Sequence, residues 1–194
     1  EPIKCWAKAK ELRLKYYRDY MQAHDKGGIR YAGSAGNAEP VVAGLGRDVY
    51  PLTGEPYAAS ITYDKKFAAK CRAAAEQAGY PRDLCAYMRN YWGSKLLNEY
   101  LFGGPFPEPD FYFTGHICCS HAKWYQEAVR IECKNRPLFI IDSSSGPSYQ
   151  KNEKTGEYYA DPPQDGIRYI ADQWHEHIEK LEEITGRTYQ DELL

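Results

Sequence analysis

The segment Pro137-Leu138-Phe139-Ile140-Ile141-Asp142 constrains the fold most. It is a short run of large apolar residues, ending at an acid that opens into a Ser/Gly stretch, which is the pattern of a buried strand. Three further segments of the same kind precede it: Ile29–Ala32, Asp48–Leu52 and Asp110–Gly115. Between them the pattern is helical. Val41–Leu45 predicts a short helix, and Lys65–Ala78 an alanine-rich one closed by Gly79. Leu84 to about Leu97 follows, with Asp83 as its expected cap, and Cys119–Cys133 forms another. Strands alternating with helices require crossover connections and hence a parallel sheet. The expected class is α/β, an open, mainly parallel sheet with helices on both faces, of Rossmann or flavodoxin type.

At the amino end, Ile3, Trp6, Ala7, Leu14, Tyr17 and Met21 make an apolar helical stripe that the pair Gly27-Gly28 stops. At the other end, Asp165 is expected to cap a long helix. Its buried face would be Ile167, Ile170, Ala171, Trp174, Ile178, Leu181 and Ile184, with Gly186 just past its end. Thr53–Pro56 and Gly103–Pro109 read as loops, Lys151–Gln164 as polar and exposed, and Tyr189–Leu194 as the start of another helix. The expected parts are an N-terminal helix (1–28), an α/β domain (29–186) and a following helix or linker (187–194).

Composition narrows the function. Lys and Arg number 25 against 27 Asp and Glu, so the net charge of -2 gives no general attraction to nucleic acid. No apolar run approaches the ~18 residues of a membrane helix, and the first residues are charged rather than signal-like. A cytoplasmic, soluble protein is expected, with neither nucleic acid nor membrane as partner. Its six cysteines are then thiols or metal ligands rather than disulfides.

Several chemistries lack their motif. There is no GxxxxGK[ST] and no GxSxG, and the turn Gly33-Ser34-Ala35-Gly36 lacks GxGxxG spacing. Ser143-Ser144-Ser145 does stand at a strand's carboxyl end, where open α/β sheets bind ligands. His175 and His177, two apart on a helix, diverge and read as solvated; His116 and His121 flank Cys118-Cys119 without zinc spacing. Cys5, Cys71 and Cys133 fall within or at the end of helices, as small core residues do. Cys85 and Cys118 each open a helix. There, free backbone N–H groups and the helix dipole favour a thiolate able to hold an iron–sulfur cluster, with buried thiols as the alternative.

Pro81-Arg82-Asp83-Leu84-Cys85-Ala86-Tyr87-Met88-Arg89, the loop Pro107–Asp110, Thr114-Gly115-His116-Ile117-Cys118 with Lys123-Trp124-Tyr125, and Leu181–Arg187 before Tyr189–Leu193 occur in one order. In that order they resemble the benzoyl-CoA reductase / 2-hydroxyacyl-CoA dehydratase subunit family, from about Asn37 onward. The resemblance implies that Cys85 and Cys118, 33 residues apart, ligate a [4Fe-4S] cluster. Cys119, which follows Cys118 directly, is the alternative to it. The family's third cluster cysteine lies in a second α/β domain and has no counterpart here, so the chain is expected to be the first half of a two-domain subunit.

The same resemblance implies the chemistry: a subunit of a benzoyl-CoA reductase, dearomatising an aryl-CoA thioester with low-potential electrons. The alternative is an (R)-2-hydroxyacyl-CoA dehydratase subunit, in which one recycled electron forms a ketyl radical that expels hydroxide. The richness around Tyr87, Tyr91, Trp92, Phe111, Tyr112 and Trp124 leans toward the aryl substrate. The implied partners are a homologous cluster-bearing subunit, an acyl-CoA or aryl-CoA substrate, and ATP-hydrolysing iron–sulfur activator subunits, ATP being bound only there. In the Gly54–Tyr57 segment Glu55 is the one ionisable group at the expected acyl position, where burial would raise its pKa and make it a proton donor; an ordinary loop carboxylate is the plainer reading. A reading of another class is a non-catalytic flavodoxin-like binding domain with core cysteines.

Overall fold

In the computed structural model of the chain, four strands pair throughout in parallel: β1 (Ile29–Gly33), β2 (Val49–Thr53), β3 (Phe111–Gly115) and β4 (Leu138–Ile141). Their order is β2-β1-β3-β4, the flavodoxin-like arrangement in which the winding reverses between β1 and β3. The structure describes residues 3–34, 39–116, 119–132, 134–142, 149–160 and 163–193.

The helices are α1 (Trp6–Gln22), α2 (Glu39–Ala43), α3 (Gly54–Tyr63), α4 (Lys65–Gln77), α5 (Ala86–Leu96), α6 (Cys119–Glu132) and α7 (Gln164–Thr185). Strand side chains alternate between two cores. Ala32, Leu52 and Tyr112 face the larger one with residues of α1, α3, α4, α5 and α6. Tyr31, Phe111, Phe113, Phe139 and Ile141 face the smaller one with Val42, Leu45 and Leu181. Both faces of the sheet are therefore covered, and every residue of the inner strand β3 is buried.

Local signals account for most boundaries. The Asp64 carboxylate accepts from the N–H groups of Lys66 and Phe67 at 3.1 and 3.0 Å and so starts α4. Gly186 ends α7 in the left-handed conformation, at φ 66°. Other boundaries differ from expectation. Cys85, not Asp83, occupies the N-cap of α5. Thr53–Pro56 is no loop, because β2 runs straight into α3, whose first turn accepts Pro56 at little cost. The stretch expected to be polar and exposed is exposed from Lys151 to Tyr158, and a small hairpin of β5 (Tyr149–Lys151) and β6 (Tyr158–Ala160) brackets it. Past α7 the described residues form a 3-10 turn, Asp191–Leu193.

Two apolar stripes are less buried than their period suggests. In α1 Tyr17 and Tyr20 are buried, while Trp6 and Leu14, and Ile3 ahead of the helix, stay exposed, because only the last turns lie on the core. In α7 Leu181 is buried and Ile170 and Trp174 pack partly, but Ile167 and Ile184 are exposed. The aromatics singled out in the sequence are core: Tyr91, Trp92, Phe111, Tyr112 and Trp124 are all at most 2% exposed, and only Tyr87 reaches solvent. Their abundance follows from packing and carries no information about an aryl substrate.

At the amino-end edge of the sheet, Lys95 is buried against Glu132, and its ammonium donates to the Tyr112 hydroxyl at 2.8 Å. Burial pushes the Lys95 pKa down, and the Glu132 carboxylate opposes that shift.

His177 departs from the solvated reading that His175 obeys. Its ring packs edge-on against Phe113 and Phe139, and burial lowers its pKa from 6.5. Proton uptake is then easier in the unfolded chain. Stability is expected to be at its plateau above pH 6.5 and to fall as pH drops below it, levelling off beneath the folded pKa. His177→Phe should flatten that part of a denaturation-against-pH profile; an unchanged slope would remove His177 as its cause.

Candidate functional site

The carboxyl ends of the four strands form one edge of the sheet, and the reversal of winding opens a crevice there between β1 and β3. Backbones crowd at this point. A Cβ on Gly33 would lie 2.1 Å from the Phe113 carbonyl oxygen, so only glycine fits. The Tyr125 hydroxyl donates to the Gly33 carbonyl at 2.5 Å and occupies the space a Gly54 side chain would need. Ser34, just beyond β1, bonds through its hydroxyl to Thr114 Oγ1 at 3.1 Å and accepts from the Gly115 N–H at 3.3 Å. Next to it, His116 Nδ1 and Asp142 Oδ1, at the ends of β3 and β4, lie 2.9 Å apart and are exposed.

Three helices begin at or beside this edge. α3 leaves β2 at Gly54, with Glu55 in its first turn. α6 begins at Cys119, with His121 in its first turn. His121 Nε2 stands 2.8 Å from Glu55 Oε1, and both side chains are only about one-fifth exposed, at 18% and 21%. The pair joins the ends of β2 and β3 across 66 residues of sequence. Glu55 is thus a half-buried carboxylate at a helix N-terminus rather than a loop group in water.

α5 runs alongside α6 in the same direction. Tyr91 packs on Trp124 and Tyr125, the Trp92 indole N–H donates to the Trp124 carbonyl at 2.9 Å, and further along Lys95 meets Glu132. Each α5 residue therefore faces one some 32 to 37 positions later. Carried back to their starts, this register sets the N-cap of α5, Cys85, and the first residue of α6, Cys119, at the same end of two neighbouring helices. Cys85 is a free, exposed thiol whose side chain caps nothing. Cys118, Cys133 and Ser143–Ser145 lie outside the described residues, as do Ala35 and Gly36.

The other cysteines divide. Cys71 is buried in the core, and its pKa is pushed up to about 12 by burial, which keeps it an unreactive thiol. Cys5 is exposed ahead of α1, contrary to the core reading. Among the described residues no group of three or more His, Cys, Asp or Glu side chains could hold a metal. Of the described cysteines, Cys85 alone combines an exposed thiol with the N-terminus of a helix at this end of the fold, the chemistry that thiolate ligation of an iron–sulfur cluster requires. No described helix is long and apolar enough to cross a membrane.

His121 is the residue whose part was not legible in the sequence. Searching histidines for metal spacing passes over it, because its partner is a carboxylate on another strand–helix junction.

Known proteins match this chain over the same region. The family described as 2-hydroxyglutaryl-CoA dehydratase, D-component, matches residues 50–194. The (R)-2-hydroxyisocaproyl-CoA dehydratase alpha subunit of Clostridioides difficile is 30% identical over 180 residues, covering 92% of this chain and 40% of that subunit. The (R)-phenyllactyl-CoA dehydratase alpha subunit of Clostridium sporogenes is 30% identical over 118 residues, covering 60% of this chain and 26% of that subunit. The chain thus spans well under half the length of the curated relatives it matches.

Proposed function

Because this chain belongs to the 2-hydroxyglutaryl-CoA dehydratase D-component family, we propose that it is the cluster-bearing α/β part of a 2-hydroxyacyl-CoA dehydratase subunit. One observation carries the reading: Glu55, Cys85, Cys119 and His121, which start three helices at one end of the fold, all fall inside the matched span. The matched names differ in acyl group and share the CoA thioester, so the substrate class is an (R)-2-hydroxyacyl-CoA. The benzoyl-CoA reductase reading drew on aromatic residues that are core, and the dehydratase reading is the better supported.

Cys85, with Cys118 or Cys119, would hold a [4Fe-4S] cluster, which when bound supplies a low-potential electron. Relatives named as alpha subunits support an assembly with further subunits; an ATP-hydrolysing activator would deliver the electron. The remaining task belongs to the chain's own residues. Dehydration removes a hydroxyl and a proton from neighbouring carbons, so the site must orient the acyl group, exclude water and carry that proton. Gly33 lets β1 and β3 close on each other where the crevice opens, and Gly54 makes room for the Tyr125 hydroxyl that holds the Gly33 carbonyl. The Glu55–His121 pair sets a carboxylate and an imidazole 2.8 Å apart, two groups of the kind that carry protons.

Anaerobic purification together with its partner subunits tests the reading. Visible absorption near 400 nm, bound iron and conversion of a 2-hydroxyacyl-CoA to the 2-enoyl-CoA are expected. A colourless, iron-free preparation would favour the plain binding domain. Within that enzyme, Glu55→Gln is expected to lower turnover about 10²-fold at unchanged iron content, the usual worth of a positioned proton carrier. Unchanged turnover would leave Glu55 a structural partner of His121.

A further inference from the structure

One groove lies apart from the strand ends. Trp6, Ala9, Lys10 and Arg13 follow one another at helical spacing along α1, and Tyr63, the last residue of α3, closes the other side of a groove of about 480 Å³. Trp6 is 63% and Tyr63 82% exposed, so two large aromatic faces stand in water. The cations beside them are not neutralised. Lys8 pairs with Glu11 and Lys15 with Asp19 on the same helix, whereas neither Lys10 nor Arg13 forms an ion pair with any described residue.

Aromatic faces and unneutralised cations in one concave surface select a ligand with a flat ring and clustered negative charge. An apolar peptide would leave the charges unused, and a bare polyanion would leave the rings unused. We infer that this groove holds the 3′-phosphoadenosine diphosphate end of a coenzyme A thioester, with adenine against Trp6 and Tyr63 and phosphate on Lys10 and Arg13. The inference rests on the acyl-CoA reading above. Its geometry suits that reading, because α3 starts at the candidate site and ends at the groove. Glu55 and Tyr63 are eight residues apart on this one helix, about 12 Å along its axis, a span that the flexible pantetheine arm can cover.

Calorimetric titration of the intact protein with CoA, 3′-dephospho-CoA and adenosine 3′,5′-bisphosphate tests it without needing a cluster or turnover. CoA and the bisphosphate are expected to bind, and 3′-dephospho-CoA more weakly. The double substitution Lys10→Ala/Arg13→Ala should weaken CoA about tenfold or more, and Tyr63→Ala several-fold, all at exposed positions that leave folding intact. Equal CoA affinity in wild type and variants, or no CoA binding at all, would overturn the inference. So would binding of phosphatidylglycerol vesicles through the same cations in a protein that ignores CoA. Iron content and dehydration, measured in parallel, separate the two levels. An active, iron-loaded enzyme whose CoA affinity ignores these variants sinks the groove alone. An iron-free, inactive protein whose CoA affinity falls in them keeps the groove and sinks the dehydratase reading.

Discussion

Cys85→Ala is expected to strip the assembled enzyme of iron and to cost turnover on the order of 10²-fold or more, since even partners that only orient metal ligands cost 10–100-fold when removed. Folding should not suffer. The Cys85 side chain is exposed and caps no N–H group of α5, so the unfolding free energy of the iron-free variant should lie within about 0.5 kcal/mol of that of the iron-free wild type. That separation gives the experiment its force, because iron and activity would vanish from a protein of ordinary stability. Cys5→Ala, which removes another exposed thiol, should leave both untouched. Between Cys118 and Cys119, the one whose alanine variant also releases iron is the second ligand. Wild-type iron in the Cys85 variant would end the cluster assignment.

Gly93→Ala should produce the largest loss of stability. In most helices this change adds about 1 kcal/mol of helix propensity, and the exchange is favourable. Here α5 lies on α4 with the position of the missing Cβ 1.9 Å from the Cys71 carbonyl oxygen, 2.3 Å from its carbon and 2.5 Å from its Cα. Those atoms are helix backbone and cannot turn aside, so α4 and α5 would have to part and reopen the larger core that both help to build. Overpacking of this kind costs about 1–3 kcal/mol and more where backbone must move. A net loss near 3 kcal/mol would lower the melting temperature by roughly 6–12 °C in a domain of this size. A melting temperature equal to or above that of the wild type would show that the helices can separate freely.

Some of this molecule could be read from residues in a row, and the reason is that the causes are local. Phe111–Gly115 and Leu138–Ile141 form strands because short apolar runs of that length can be covered on both faces only inside a sheet. Lys65–Gln77 and the stop at Gly186 follow from propensity and capping within a few residues. Cys85 at the start of α5 was legible for the same reason, as was Glu55 as the one ionisable group between Gly54 and Tyr57. By contrast α3 hid behind Thr53-Gly54-Glu55-Pro56, whose residues suit a turn and a first helical turn equally well; the burial of Tyr57, Ala58 and Ile61 decides between them.

What only the tertiary structure settled depends on partners far apart in the chain. The periods in α1 and α7 show which side of each helix is apolar, but not how much of it another element covers. Trp6 and Ile184 are exposed, whereas Tyr17 and Leu181 on the same two helices are buried. His177 looked like its solvated neighbour His175 until Phe113 and Phe139 closed on its ring. The ion pair of Glu55 with His121 exists because β2 and β3 both flank β1 and send their following helices off the same edge. A strand order is a choice among pairings of nearly equal local merit, made by the whole core at once, and no residue carries it alone.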